Sequence, residues 1–165
     1  YKKISLNKKP EKSGFFLNFI SIKIFLIVTS AKPMNIKSSQ NLVDEANQVI
    51  ETLEPSKVKL MTDNNECLLI DVRDIRELWK EGTVKNSKHI PRGMLEFWLD
   101  PQSSYYKENK FDLNKKMILF CALGLRSALS TKSLADMGFK NVAHVKGGFD
   151  ALKQSGFEIV KKEKK

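Results

Sequence analysis

The stretch MILFCALGLRS, residues 117–127, decides how this chain folds. Met117, Ile118, Leu119 and Phe120 form a short unbroken apolar run, the pattern of a strand buried on both faces of a parallel sheet. Cys121 closes the run. Ala122, Leu123 and Gly124 suit a tight turn, and from Arg126 the chain reads as a helix. Strand, turn and helix together put Cys121 at the carboxyl edge of a sheet, below a helix N-terminus. Free backbone N–H groups and the positive end of the helix dipole favour an anion there. The same field favours the thiolate, which is the reactive form of cysteine. Arg126 adds a charge that cannot be titrated away. A cysteine alone reads as a small buried hydrophobe ending a core strand. Cys, Gly and Arg at one strand-to-helix turn read as a seat for a nucleophile.

Working outward, Cys67-Leu68-Leu69-Ile70-Asp71-Val72 is a second buried strand. Cys67 begins its strand whereas Cys121 ends its own, so in level parallel strands roughly 13 Å of rise separates the sulfurs. That is too far for a disulfide, and Cys67 reads as structural. Asp71 and Arg73 fall at the carboxyl edge, where open parallel sheets bind ligands. Arg73 is therefore a candidate for the substrate face, although an ion pair holding loops together is the plainer reading. Residues 88–90 form a short strand ending at Pro91, which places Arg92 near the same edge as a second candidate for drawing in an anion.

The remaining segments alternate. Leu42, Ala46, Val49 and Ile50, with Leu53 after them, recur at helical spacing, and Pro55 ends that helical lead-in over residues 34–54. Ser56 is placed to cap a short helix carrying Val58, Leu60 and Met61. Residues 63–65 are a turn. Residues 74–79 read as a helix with an acidic first turn. Met94, Leu95, Phe97 and Trp98 are a core patch, and residues 101–114 a polar loop. Ala128, Thr131, Leu134 and Ala135 make a stripe that lies close on a sheet, with Gly138 stopping the helix. Residues 141–145 are the last strand, and Gly147-Gly148 turns it into a final short helix. His144 reads as a satisfied core histidine. Such alternation predicts an α/β fold, a mostly parallel sheet with helices on both faces.

Composition narrows the function. Of 165 residues, two are Cys and two His, with no CxxC, which argues against a zinc site or a disulfide framework. Formal net charge is +10, but residues 1–33 hold seven Lys and one Glu, so the rest of the chain carries only +4. A nucleic-acid footprint needs clustered Arg and Lys with interleaved aromatics or a known motif. Neither is present, so no nucleic acid is expected as a partner. The basic tail, residues 161–165, reads as solvated.

Residues 54–160 resemble a single rhodanese (sulfurtransferase) domain. LLIDVRD at 68–74, HIPRGMLEFWLDP at 89–101, CALGLRSA at 121–128, DMGFKNVAHVKGGF at 136–149 and the weaker SGFEI at 155–159 carry the likeness, in the family's order. The resemblance implies a five-stranded, mostly parallel sheet and a domain over residues 55–160. It also implies a Cys121 persulfide cradled by the amides of Ala122, Leu123, Gly124, Leu125 and Arg126, and a mainly architectural role for Asp71 and Arg73. The implied chemistry takes a sulfur from thiosulfate or a persulfide donor and passes it to a thiol, cyanide or a protein acceptor, with no metal or organic cofactor. Two departures stand out. Val84-Lys85-Asn86-Ser87 replaces the usual Ile-Pro-Gly-Ala, predicting a looser turn, and Leu152 stands where a Trp is common. Two other classes are kept open: a cysteine-dependent phosphatase or arsenate reductase, and a non-enzymatic partner-binding module. Loop length separates the first. Cys121 and Arg126 enclose four residues, and enzymes with a similar seat that act on phosphate or arsenate typically enclose one more.

Residues 1–33 are a different kind of sequence. Five lysines precede an apolar segment, Phe15 to Val28, followed by Thr29-Ser30-Ala31. That is the order of a secretory signal peptide, but Lys23 in its middle opposes insertion and the segment is short for a membrane span. The reading preferred here is an upstream extension before a start at Met34, which gives a cytoplasmic protein with no membrane partner. If residues 1–31 act as a signal peptide, the compartment is the periplasm.

Overall fold

In the computed structural model, which describes residues 35–108 and 110–164, the 117–120 run is the middle of the sheet. The readings made on residues 1–33 lie outside the described residues. The elements in order are α1 (Ser39–Val49), β1 (Glu51–Leu53), α2 (Pro55–Asp63), β2 (Cys67–Asp71), α3 (Ile75–Glu81), β3 (Thr83–Val84) and β4 (Lys88–His89). A 3-10 turn (Arg92–Met94) then runs into α4 (Leu95–Leu99). After it come β5 (Lys116–Phe120), α5 (Leu125–Asp136), β6 (Val142–Val145), α6 (Gly148–Gln154) and β7 (Ile159–Val160). Five strands form one sheet in the order β1-β6-β5-β2-β4, every pairing parallel. The expected α/β architecture is therefore observed. No helix among the described residues is long and apolar enough to cross a membrane.

Period-two alternation along β5 explains its unbroken apolar run. Ile118 and Phe120 point into one core with Leu69, Ala143, Val145, Phe149 and Leu152. Met117, Leu119 and Cys121 point into the other with Ile70, Val72, Ile90, Leu95 and Leu134. A strand covered on both faces has no side for polar residues, and full burial of each large aliphatic or aromatic chain contributes about 1.5–3 kcal/mol. Leu152 is fully buried here, so a leucine closes the position where related domains often have Trp. β2 and β5 run level, Cys67 opposite Lys116 and Asp71 opposite Phe120. The two cysteines thus lie at opposite ends of the sheet, and both are free thiols.

Several segments depart from the sequence reading. The lead-in is not helical to its end: Glu51–Leu53 breaks off as an edge strand paired with β6. The buried face of α1 is Val43 and Ala46, with Ile50 after them, packed on Ala128 of α5, while Leu42 and Val49 are exposed. Leu42 fits the helical period equally well, and only the position of α5 decides which stripe is covered. α2 starts two residues earlier than a Ser56 cap implies, with Glu54 at the cap and Pro55 in its first turn, where a missing N–H costs nothing. Ala135 is exposed at the end of α5. β6 is not the last strand, because β7 follows and pairs antiparallel with β3 in a separate ribbon. The 84–87 turn is tight, not loose. Asn86 adopts φ 65°, the Ser87 N–H donates to Val84 O at 3.1 Å, and the Ser87 hydroxyl donates to the same oxygen at 2.7 Å. Asn tolerates the left-handed region, so it substitutes for the Gly usually found there.

Arg73 is the clearest correction. It has no exposure and cannot face a substrate. Its Nε and Nη2 donate to the Asp71 carboxylate at 3.0 and 2.8 Å, and Nη2 also reaches Gly82 O at 2.7 Å. Thr83 Oγ1 donates to the same carboxylate at 2.7 Å. Substituting Arg73→Met leaves Asp71 buried without its counter-charge, which is expected to cost about 3–5 kcal/mol. Urea unfolding monitored by tryptophan fluorescence measures this, and a loss below about 1 kcal/mol would mean the pair is not the buried lock described here.

Candidate active site

Cys121 is the first residue beyond β5, and its side chain is buried. The Gly124 N–H donates to Cys121 Sγ at 3.2 Å. Gly124 sits at φ 97°, in the left-handed region, immediately before α5, a 12-residue helix whose N-terminus faces the sulfur. A residue with a Cβ is strained at that φ, so the turn that aims the amide at sulfur is a glycine turn.

The loop is held from behind by α6. The Phe149 N–H donates to Cys121 O at 2.7 Å and the Asp150 N–H to Ala122 O at 3.3 Å. With those carbonyls engaged away from the sulfur, the loop presents N–H to it. The approach leaves no room for a side chain at Gly148, where a Cβ would stand 2.4 Å from Cys121 O, 2.7 Å from Ala122 O and 2.8 Å from Gly124 N. The sequence reading took Gly147-Gly148 as a turn and missed this contact. Two adjacent glycines after a strand were the available signal.

Arg126 does lie at the loop, but its charge is shared. Nη1 and Nη2 donate to the two oxygens of Glu77 at 2.6 and 2.8 Å, a bidentate pair between α5 and α3. Hydrogen bonding to Arg126 holds the Glu77 carboxyl below its ordinary range, and the pairing raises Arg126 further above its already high value. Glu77 also accepts from the Asp74 N–H at 3.1 Å, as part of the capping box of α3. No spacing rule pointed to Glu77 as Arg126's partner. Arg92 is near the active edge as expected, half-buried, but its Nη1 donates to Arg126 O at 3.2 Å and Ser130 Oγ at 3.0 Å. It steadies the first turn of α5. Leu123 and Leu125 are exposed, so the rim of the seat is apolar. Beside it an open concavity of about 350 Å³ is lined by residues including Val43, Thr52, Leu123, His144 and Gly147.

Cys67 has none of these features. It lies half-buried at the far end of β2, 3.5 Å from Thr62 Oγ1, and burial pushes its thiol pKa up. A second concavity there, about 280 Å³ with Lys85, Lys88, Lys110 and Lys115 among its lining, is remote from Cys121. Three of those lysines are engaged, with Glu158, the Trp98 ring and Asn65 respectively for Lys85, Lys110 and Lys115. His144 is a buried histidine joined to Thr52 and Ser127, and burial pushes its pKa down to about 4.

Residues 54–155 match the Rhodanese-like domain family. Among curated proteins, the tRNA uridine(34) hydroxylase of Photorhabdus laumondii is 30% identical over 107 residues, covering 59% of this chain and 29% of that protein. The Prochlorococcus marinus protein of the same name is 35% identical over 88 residues, 52% of this chain and 27% of that one. The chain thus matches less than a third of the length of these relatives. Among solved structures, a Rhodopseudomonas palustris protein of unknown function, described as a possible tyrosine phosphatase, aligns with a TM-score of 0.71 and 41% identity. The match covers 79% of this chain and all of that one. The polysulfide-sulfur transferase homodimer of Wolinella succinogenes aligns at 0.58 with 33% identity, covering 73% of this chain and 85% of that one.

Two outcomes test the site as described. Gly148→Ala forces Cβ into the loop backbone and is expected to lower stability by more than about 2 kcal/mol, within the range of strained or overpacked substitutions, and to slow Cys121 alkylation. Thermal unfolding and thiol labelling read the two effects. The pH test concerns His144. Its folded pKa is depressed, so its contribution is complete above the unfolded value near 6.5 and is lost as pH falls toward about 4. The melting temperature is expected to fall across that window, with a shallower slope in His144→Asn.

Proposed function

The chain belongs to the Rhodanese-like domain family, and from that premise we propose that it is a sulfurtransferase working through a Cys121 persulfide. The observation that carries the reading is the short loop from Cys121 to Arg126, with the Gly124 N–H at 3.2 Å from Sγ. In the first half-reaction the Cys121 thiolate attacks the outer sulfur of thiosulfate. A new S–S bond forms, the old one breaks, and sulfite leaves with the bonding pair. In the second, an acceptor thiolate attacks the outer sulfur of the Cys121 persulfide. That S–S bond breaks, its electron pair returns to Cys121, and the acceptor leaves as a persulfide. Both steps leave the protein's oxidation state unchanged over the cycle. The loop amides of residues 122–126 and the Arg126 charge stabilise the anionic sulfur. Because Glu77 offsets Arg126, the amides supply the larger part. The sulfur-transferring neighbour from Wolinella supports this reading.

The name of the solved-structure neighbour from Rhodopseudomonas favours a second reading, phosphate chemistry at the same cysteine. Loop size argues against it. Four residues between Cys121 and Arg126 converge on one extra atom, whereas a tetrahedral oxyanion needs a wider ring, and misplacement at such a seat is costly. The curated relatives are named for an action on tRNA. The expectation that no nucleic acid is a partner is therefore withdrawn, and tRNA is kept as an acceptor or substrate to be assayed.

Intact-mass measurement after thiosulfate treatment is the deciding experiment. The parent and Cys67→Ser are expected to gain one sulfur atom that a reductant removes, and Cys121→Ser to fold and gain none. Inserting one small residue between Leu123 and Gly124 is expected to weaken loading. Cys121-dependent release of phosphate from an aryl phosphate by the parent, with no sulfur loading, would overturn the assignment in favour of the phosphatase.

A further inference from the structure

Ser127 has one hydroxyl proton and three acceptors within reach. Gly124 O lies at 3.0 Å, His144 Nδ1 at 3.4 Å and Cys121 Sγ at 3.7 Å. Behind it, Thr52 Oγ1 lies 2.9 Å from His144 Nε2. Thr52, His144 and Ser127 thus form a row from β1 through β6 to α5 that ends on the sulfur. A buried neutral imidazole needs a partner at each nitrogen, one as donor and one as acceptor. This one is joined at both nitrogens, and one of the two joins leads to Cys121.

Proton counting sets the direction of the row. Ser127 Oγ donates to Gly124 O or Cys121 Sγ, so its contact with His144 Nδ1 is met when Nδ1 carries the proton, and the solvent-exposed Thr52 hydroxyl donates to the bare Nε2. A neutral imidazole carries one proton, which then sits on Nδ1 and is donated to Ser127 Oγ. With that lone pair filled, the Ser127 proton chooses between Gly124 O and Cys121 Sγ, and an anionic sulfur is the stronger acceptor. The opposite tautomer would draw the same proton to bare Nδ1 and away from sulfur. Burial keeps His144 neutral down to a pKa of about 4, so the imidazole neither repels Arg126 nor stores the thiol's proton.

We infer that His144 is a positioning residue, anchored by Thr52 in the Nδ1–H tautomer, that turns the Ser127 hydroxyl onto Cys121 and stabilises its anionic sulfur. This rests on Cys121 as the reactive thiol of the proposed function, but its test uses no sulfur transfer. The charged groups packed around Cys121 are Arg126 of α5 paired to Glu77 of α3, Asp150 of α6 paired to Lys153, and the Asp71–Arg73 pair at the end of β2. Arg92 stands on the backbone of Arg126. None of them is altered by substitution at positions 52 or 144.

The experiment is the rate of Cys121 alkylation by iodoacetamide against pH, in full-length protein carrying Cys67→Ser. His144→Leu is expected to slow labelling at neutral pH by roughly fivefold, the size of one modest hydrogen bond, and to move the pH profile to the alkaline side. Thr52→Val is expected to move it the same way by less. His144→Asn is expected to stay near the parent, because its amide N–H can stand where Nδ1–H stood. Nitrogen NMR of the unsubstituted protein is expected to show Nδ1 protonated, which keeps the test available if the Leu variant does not fold. A proton on Nε2, parent-like labelling in the Leu and Val variants, or an Asn variant as slow as Leu overturns the inference. A parent that never loads sulfur, with the labelling differences intact, overturns the sulfurtransferase reading alone.

Discussion

A guanidinium with no access to water must be ringed by acceptors, and Arg73 sets the rest of the structure around that requirement. It takes the Asp71 carboxylate from the end of β2, a carbonyl from Gly82 and a carboxylate oxygen from Glu81. Its Cζ stands 3.8 Å from the centre of the Phe149 ring. One buried cation thereby fixes where β2 stops, where α3 hands over to β3, and where α6 begins. A buried pair of this kind contributes little net stability compared with an apolar replacement of equal volume, while losing one partner is expensive. What it supplies is position. Phe149 is the residue whose N–H holds the Cys121 carbonyl, so the charge pair is two contacts from the sulfur.

In the proposed function, backbone dipoles more than side-chain charge make the seat. Gly148 lets α6 approach close enough to occupy two loop carbonyls, and Gly124 turns its own N–H toward Sγ. Arg126 contributes a field at the sulfur that Glu77, bound through two short hydrogen bonds, partly cancels. A fixed amide needs no reorganisation when charge develops, and it is not screened as an exposed arginine is. This division of labour suits a site that stabilises a single anionic sulfur, where directed donors at one point matter more than diffuse positive potential.

Much of the fold was legible because β2 and β5 are written in unbroken apolar letters and because Cys, Gly and Arg follow β5 at once. Those are local patterns, and local patterns survive without knowing the neighbours. What was not legible depended on neighbours. The covered stripe of α1 is chosen by where α5 lies, so Val43 is buried and Leu42 is not. The edge strand 51–53 is three residues long and owes its existence to pairing with β6. Arg73 and Arg126 share a residue type and a sheet edge, yet one is sealed inside and the other is paired at the surface. Their acidic partners, Asp71 two residues away and Glu77 in another helix, made that difference. Ser127 sat inside the deciding motif unread, since a serine after an arginine in a helix carries no signal until His144 is seen across from it.

Burial of Cys121 bears on how the proposed transfer works. At 1% exposure the residue itself offers almost no surface to a partner. A small anion such as thiosulfate is able to bring its outer sulfur to the seat. A protein acceptor cannot bring a backbone-bound thiol equally deep. Adding one sulfur extends the reactive atom by an S–S bond, about 2 Å, within a loop whose Leu123 and Leu125 are exposed by 62% and 47%. The persulfide therefore changes who is able to reach the site as well as what the site carries. The first half-reaction selects for size, and the second presents sulfur to partners matched to an apolar rim. A thiolate already at the surface would have no such ordering, because donor and acceptor would compete for it directly.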